Sequence, residues 1–251
     1  KYILCDITKK KSLRKNIGKS YTYVVNLGGY VDHSNRKKTF ASHYLGCKNL
    51  AEVFFKKEPI AFVQMGSSAE YGNVQSPQKE NARCNPKSVY GQAKLLSSIY
   101  LIDLFKKQKF PSTILRLYNT YGPRQDLNRF IPIVISGCVK NKKFPCSEGN
   151  QIRDFLHIDD VVDAILKSLT NKKAKGQIIN IGSGEPRIIK NIIEYIKKIS
   201  KGGFPLFGRV KLRKDEILKS YPDINKAKNK INWRPKISFR KGLKVTIDSF
   251  K

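Results

Sequence analysis

Short apolar runs ending in glycine, serine or a polar turn alternate along this chain with longer stretches of helical periodicity. That alternation constrains the fold more than any other feature. Tyr23 to Leu27 reads as a strand ending in Gly28-Gly29, Ile60 to Met65 closes on Gly66-Ser67-Ser68, and Thr113 to Leu117 runs into Tyr118-Asn119. Gln177 to Ile181 reads as a further strand. Between them, Thr39 to Lys57 carries Phe40, Tyr44, Cys47, Leu50, Ala51 and Phe54 at helical spacing. Lys87 to Lys107, Phe130 to Lys140, Asp159 to Ser168 and Ile188 to Ile199 read as helices as well. Strands alternating with helices predict an α/β fold, a doubly wound Rossmann-type parallel sheet with crossover helices.

In such a sheet, ligands bind beyond the C-terminal ends of the strands. Gly28-Gly29, Ser67 and Tyr118-Asn119 all fall at such ends, which predicts one shared cleft. Tyr90-Gly91-Gln92-Ala93-Lys94 lies on the helix after the Ser67 strand. A Tyr and a Lys four apart share a helix face, so an ammonium beside the phenol is expected to lower its pKa. That would make Tyr90 an acid/base near neutral pH, where a free phenol stays protonated.

Ser67, the Tyr90-x-x-x-Lys94 pair and Arg116-Leu117-Tyr118-Asn119-Thr120-Tyr121-Gly122-Pro123 together resemble the extended short-chain dehydrogenase/reductases, the nucleotide-sugar epimerases and dehydratases. Gln151-Ile152-Arg153-Asp154-Phe155, Asn180-Ile181-Gly182-Ser183-Gly184 and Trp233-Arg234-Pro235 extend the resemblance over nearly the whole chain. It implies Ser67, Tyr90 and Lys94 as the catalytic set, with NAD or NADP as cofactor. Asp6 and Ile7 match the pair that contacts the adenine ring, at the end of a strand. Leu27, Gly28 and Gly29 stand where the backbone approaches the cofactor, and Tyr118 where a ring flanks the nicotinamide. Ser68, Asn119, Arg153 and Arg213 join Ser67 on the side of a nucleotide-diphosphate sugar, the two arginines as pyrophosphate ligands. His43 reads as a surface helical residue outside the site, Asp154 as a positioning group, and Trp233 as core or cap. The resemblance assigns residues 1–122 and about 152–182 to the NAD(P)-binding domain. It assigns about 123–151 and 183–251 to a smaller mixed α/β domain for the nucleotide sugar.

Residues after the serine separate the family's branches. The 4,6-dehydratases carry acids there, because eliminating water needs its own proton donor and acceptor. This chain has Ser68 and Ala69, with Glu70 one position late. The expected reaction is therefore epimerisation through a 4-keto sugar, with 4-ketoreduction as the alternative and 4,6-dehydration behind both.

The family opens with a Gly-x-x-Gly-x-x-Gly turn whose N–H groups receive the pyrophosphate. No such run occurs here, and the chain starts at Lys1. We expect about 50 residues of strand–helix–strand to be missing, given about 30 for one βαβ unit. The strand Tyr23 to Leu27 would then be an open edge. The 251 residues alone would be poorly soluble, inactive and unable to hold NAD(P), and the full-length protein a homodimer.

Charge raises a rival reading. Lys and Arg outnumber Asp and Glu by 50 to 19, a net charge of +31, which invites a polyanion. The lysines are spread over amphipathic segments and not interleaved with aromatics as on a nucleic-acid platform. We therefore expect solvated lysine faces and no nucleic acid; a non-catalytic RNA-binding member of the superfamily is the rival. The five cysteines fit neither a zinc set nor a disulfide framework, so no metal is expected and a reducing, cytoplasmic setting is. No apolar run approaches the ~18 residues that would suggest a membrane span.

Overall fold

A computed structural model describes residues 2–213 and 216–250. The chain runs α1 (Lys10–Asn16), β1 (Tyr23–Asn26), α2 (Arg36–Phe40), a π-helical turn (Ala41–Leu45) and α3 (Gly46–Phe55). It continues β2 (Ala61–Ser67), α4 (Val89–Gln108), β3 (Ser112–Leu117), β4 (Asn119–Tyr121), α5 (Phe130–Val139) and β5 (Lys143–Pro145). Then come β6 (Ile152–Arg153), β7 (Phe155–His157), α6 (Ile158–Thr170), β8 (Gln177–Ile181), β9 (Arg187–Ile188) and α7 (Ile189–Ser200). The last elements are β10 (Phe204–Leu206), β11 (Lys219–Ser220), α8 (Asn225–Ile231) and α9 (Phe239–Asp248).

The main sheet has the order β1-β2-β3-β8 with every pair parallel. Its side chains alternate between two cores, as a strand's period of two requires. Phe62 and Ile114 point to α1, α3 and α4, whereas Val63, Met65, Leu115, Ile179 and Ile181 point to α6 and α8. Both faces are covered, which is why these strands read as apolar runs rather than alternating ones. A third core holds α5, α7 and α9 together through Ile131, Ile135, Ile192, Ile196, Leu243 and Ile247.

Three expectations change. Residues 2–7 form no strand: among the described residues no strand pairs with them, and the Asp6 and Ile7 carbonyls accept instead from the Lys9 N–H and Asn49 Nδ2. β1 is indeed an edge of the sheet among those residues. The helix expected from Thr39 to Lys57 starts earlier, at Arg36, because Asn35 caps it by accepting from the Lys38 N–H, and it is interrupted by the π turn. Residues 225–233, assigned above to the nucleotide-sugar part, pack under the main sheet instead. Trp233 is fully buried there and its Nε1 donates to the Asp160 carbonyl at 3.1 Å. Removing a buried aromatic of this size costs about 3–5 kcal/mol, so this closing turn fastens the sheet.

Candidate active site

The site begins where β2 ends. Ser67 caps a short turn, Ser68–Glu70, by accepting from the Ala69 N–H at 3.2 Å. Glu70 reaches back to the Ser67 N–H at 2.9 Å, completing a capping box. The same carboxylate, fully buried, accepts from Ser98 Oγ at 2.7 Å and Arg116 Nε at 2.8 Å. Ser67 is thus held by α4 and β3 as well as by its own strand.

α4 starts at the Ser88 cap, whose side chain accepts from the Gly91 N–H at 3.1 Å. Gly91 lies so close to the Ser67 turn that a Cβ there would be 2.5 Å from the Ala69 carbonyl oxygen. Only a glycine lets the helix start this near, and the approach brings Ser67 and Tyr90 to the wall of one cavity. Lys94, one turn on, donates from Nζ to the Met65 carbonyl at 2.7 Å and stands 5.9 Å from the centre of the Tyr90 ring.

The electrostatics differ from the sequence expectation. Burial pushes the Tyr90 pKa up, with the Ser67 hydrogen bond opposing it and Glu70 adding to the rise. Lys94 does not lower it: the ammonium is spent on a backbone carbonyl, and burial moves the lysine's own pKa down. Desolvation, which favours the neutral phenol, outweighs the lowering influence of Ser67 and Arg129.

A cavity of about 750 Å³ joins Leu27, Gly28, Gly29, Ser67, Ser68, Tyr90, Lys94, Tyr118 and Asn119. A second, of about 430 Å³, is lined by Arg153 and Arg213 and shares Asn119, Phe130 and Phe155 with the first. Arg153 and Arg213 converge on Glu216, at 2.5 and 3.0 Å. The Asp154 carboxylate accepts from the Ser183 N–H and hydroxyl and from the Gly184 N–H at 2.7–2.8 Å, locking the 182–184 turn behind Arg153. Tyr118 turns its hydroxyl away, donating to Gln78 Oε1 at 2.7 Å, while its ring lines the first cavity.

Asp6 lines neither cavity. It is exposed and accepts from the Thr8 N–H and hydroxyl at 2.9 and 2.7 Å, a turn residue rather than a strand end. Ile7 packs against Gly28 and Gly46, outside both cavities.

Sequence reading missed the Glu70–Arg116 pair, although Ser67-x-x-Glu70 is a legible capping box. It also set His43 aside. The π turn buries that imidazole against the Tyr90 ring, centroids 4.9 Å apart, and His33 joins it with no sequence signal at all.

The model of the NAD dependent epimerase/dehydratase family matches residues 1–182. A putative UDP-glucose 4-epimerase of Methanocaldococcus jannaschii is 33% identical over 215 residues, 82% of this chain and 68% of the relative. UDP-glucuronic acid decarboxylase 1 of Arabidopsis thaliana is 27% identical over 86% of this chain, which spans 51% of the plant protein. Among solved structures, a UDP-glucose 4-epimerase of Thermotoga maritima with UDP-glucose superimposes with a TM-score of 0.90 at 25% identity, over 99% of this chain and 83% of that one. Among the described residues no helix is long and apolar enough to cross a membrane. By the family match, the shared fold and the Ser67–Tyr90–Lys94 geometry, the chain belongs to the NAD dependent epimerase/dehydratase family.

Proposed function

We propose that this chain carries the catalytic and sugar-binding residues of an NAD(P)-dependent nucleotide-sugar 4-epimerase. The observation that carries the reading is that Ser67, Tyr90 and Lys94 line one cavity, which shares Asn119, Phe130 and Phe155 with the Arg153–Arg213 pocket. The residues present suit the nicotinamide-ribose end of the cofactor. Gly28 and Gly29 offer a wall without side chains, and Lys94 is buried one helical turn from Tyr90. Held there, NAD(P) would supply reversible hydride acceptance for the sugar C4.

Tyr90 takes the proton from the sugar 4-hydroxyl and gives it back when the 4-keto sugar is reduced on its other face. Ser67 hydrogen-bonds the same sugar oxygen and shares the developing charge. Lys94 holds the nicotinamide ribose beside the phenol. Asn119 and the two arginines hold the diphosphate, so the sugar swings at C4 while its anchor stays put.

Incubating the full-length holoenzyme with UDP-, GDP-, CDP- and dTDP-hexoses tests this directly. The expected result is a C4 epimer with no net change in reduced cofactor. Stoichiometric NADPH consumption with a separately supplied 4-keto nucleotide sugar would instead make the protein a 4-ketoreductase, and no turnover of either kind of substrate would sink both.

Two predictions belong here. Arg153→Ala is expected to weaken nucleotide-sugar binding at least several-fold, because a hydrogen bond to a charged group contributes about 1.5–3 kcal/mol. Cofactor affinity should stay unchanged in the same calorimetric titrations; loss of NAD(P) binding with sugar affinity intact would place Arg153 on the wrong side. The second concerns dehydration. Ser68 and Ala69 supply no acid, and Glu70 is bound to three donors in the interior. Mass spectrometry of the products should show no loss of water, and a 4-keto-6-deoxy sugar would refute the assignment.

A further inference from the structure

The loop between β1 and α2 carries an imidazole that the mechanism above leaves idle. His33 lies face to face with the Tyr90 ring, centroids 4.1 Å apart and planes 17° apart. His43 meets the same phenol edge-on, at 4.9 Å and 80°. The two imidazoles are themselves 5.8 Å apart at 74°. One ring is thus bounded on a face and on an edge by two others, the stacked and T-shaped arrangements that aromatic quadrupoles favour.

The loop is anchored on both sides of His33. The Tyr30 N–H donates to Ser42 Oγ at 2.9 Å, and His43 Nε2 donates to the Tyr30 carbonyl at 3.2 Å. That second bond leaves His43 Nδ1 unprotonated, and this buried nitrogen has no partner among the described residues. Beyond His33, the Asp32 carboxylate accepts from the Ser34 N–H and hydroxyl at 3.0 and 2.6 Å, and Asn35 caps α2. Gly29 completes the arrangement. A Cβ there would sit 2.0 Å from His43 Cε1, so only glycine leaves room for the imidazole that ties down the loop.

We propose that His33 is a positioning residue for Tyr90, stacking on the phenol so that its hydroxyl stays aimed at Ser67 and the sugar oxygen. The inference rests on the reading of Tyr90 as the acid/base. Partial desolvation, with Arg129 and Lys94 nearby, lowers the pKa of the solvent-exposed His33 from the ordinary imidazole value, and Asp32 opposes them. A tyrosine side chain turns about two bonds. A contact at the hydroxyl would restrain only its tip, whereas the stacked plane of His33 restrains the whole ring. Orientation matters because a reacting group displaced by about 1 Å loses on the order of 100-fold in rate.

The test compares His33→Ala with His33→Phe in the holoenzyme, with tyrosine carbon-13 labelled at its ring edges. The Tyr90 signals are identified by their disappearance in Tyr90→Phe. With His33 present, the two edges of the Tyr90 ring should give separate or broadened signals, because stacking slows the ring flip. In His33→Ala they should merge into one sharp signal, and in His33→Phe the separation should return. Kinetically, His33→Ala should lower kcat about 10-fold, a partial loss of orientation, with KM for the nucleotide sugar unchanged, and His33→Phe should recover most of it. An unchanged ring signal in His33→Ala, or a His33→Phe as slow as the alanine variant, would overturn the proposal. The resonance measurement needs no substrate, so it decides the positioning claim even where no nucleotide sugar is turned over.

Discussion

Tyr90→Phe is expected to lower turnover of the holoenzyme by at least about 100-fold, the low end of what a positioned acid/base contributes, and to leave nucleotide-sugar affinity unchanged. The variant loses one oxygen and keeps the ring, so the stack on His33 and the edge contact with His43 survive. The Ser67 hydroxyl keeps its hydrogen bond from the Ala69 N–H. The fold should therefore be intact and the melting temperature close to that of the parent. Steady-state kinetics and calorimetric binding of the sugar nucleotide separate the two effects. Turnover within a few-fold of the parent would remove Tyr90 from the chemistry and the mechanism with it.

The second large effect is structural. Glu70→Ala should destabilise the fold by about 3–5 kcal/mol, because breaking a buried ion pair leaves its partner's charge uncompensated. Arg116 is 2% exposed, its Nε bonds only that carboxylate, and its guanidinium stacks 4.5 Å from the centre of the Tyr71 ring. The Ser67 N–H and the Ser98 hydroxyl lose an acceptor at the same time. At about 2–4 °C per kcal/mol for a chain of this size, the melting temperature should fall by roughly 6–20 °C. Adding Arg116→Met to Glu70→Leu should recover part of the loss, because no lone charge then remains inside. A shift below about 2 °C in Glu70→Ala, on the same scale, would show that the pair is not the strut under Ser67.

These two residues differ in how they could be read. Tyr90 announced itself because a four-residue spacing to Lys94 is a local property of a helix. Glu70 had a local signal too, the Ser67-x-x-Glu70 box, but it was weighed only as a misplaced catalytic acid. Its real partners, Ser98 and Arg116, lie 28 and 46 residues away; the packing of α4 brings the first under Ser67 and the parallel register of β2 with β3 the second.

The alternation of strands and helices, the four parallel strands and the residues at their C-terminal ends were all legible before any coordinates. Each depends on periodicity within one segment or on a turn beside it. Local patterns could not show where Asp6 goes, because a strand exists only when a neighbour pairs with it. Nor could they give the direction of the Tyr90 pKa, since that direction balances burial by the whole fold against one hydrogen bond. Packing of residues 225–233 under the main sheet, convergence of Arg153 and Arg213 on Glu216, and the two histidines around Tyr90 belong to the same class. Sequence alone determined which residues stand at the strand ends and on one face of α4, where the cavity forms, because spacing on a helix and position at a strand end are short-range facts. Tertiary structure decided what each of them touches and how strongly it is charged, because those depend on groups that meet only after the chain has closed on itself.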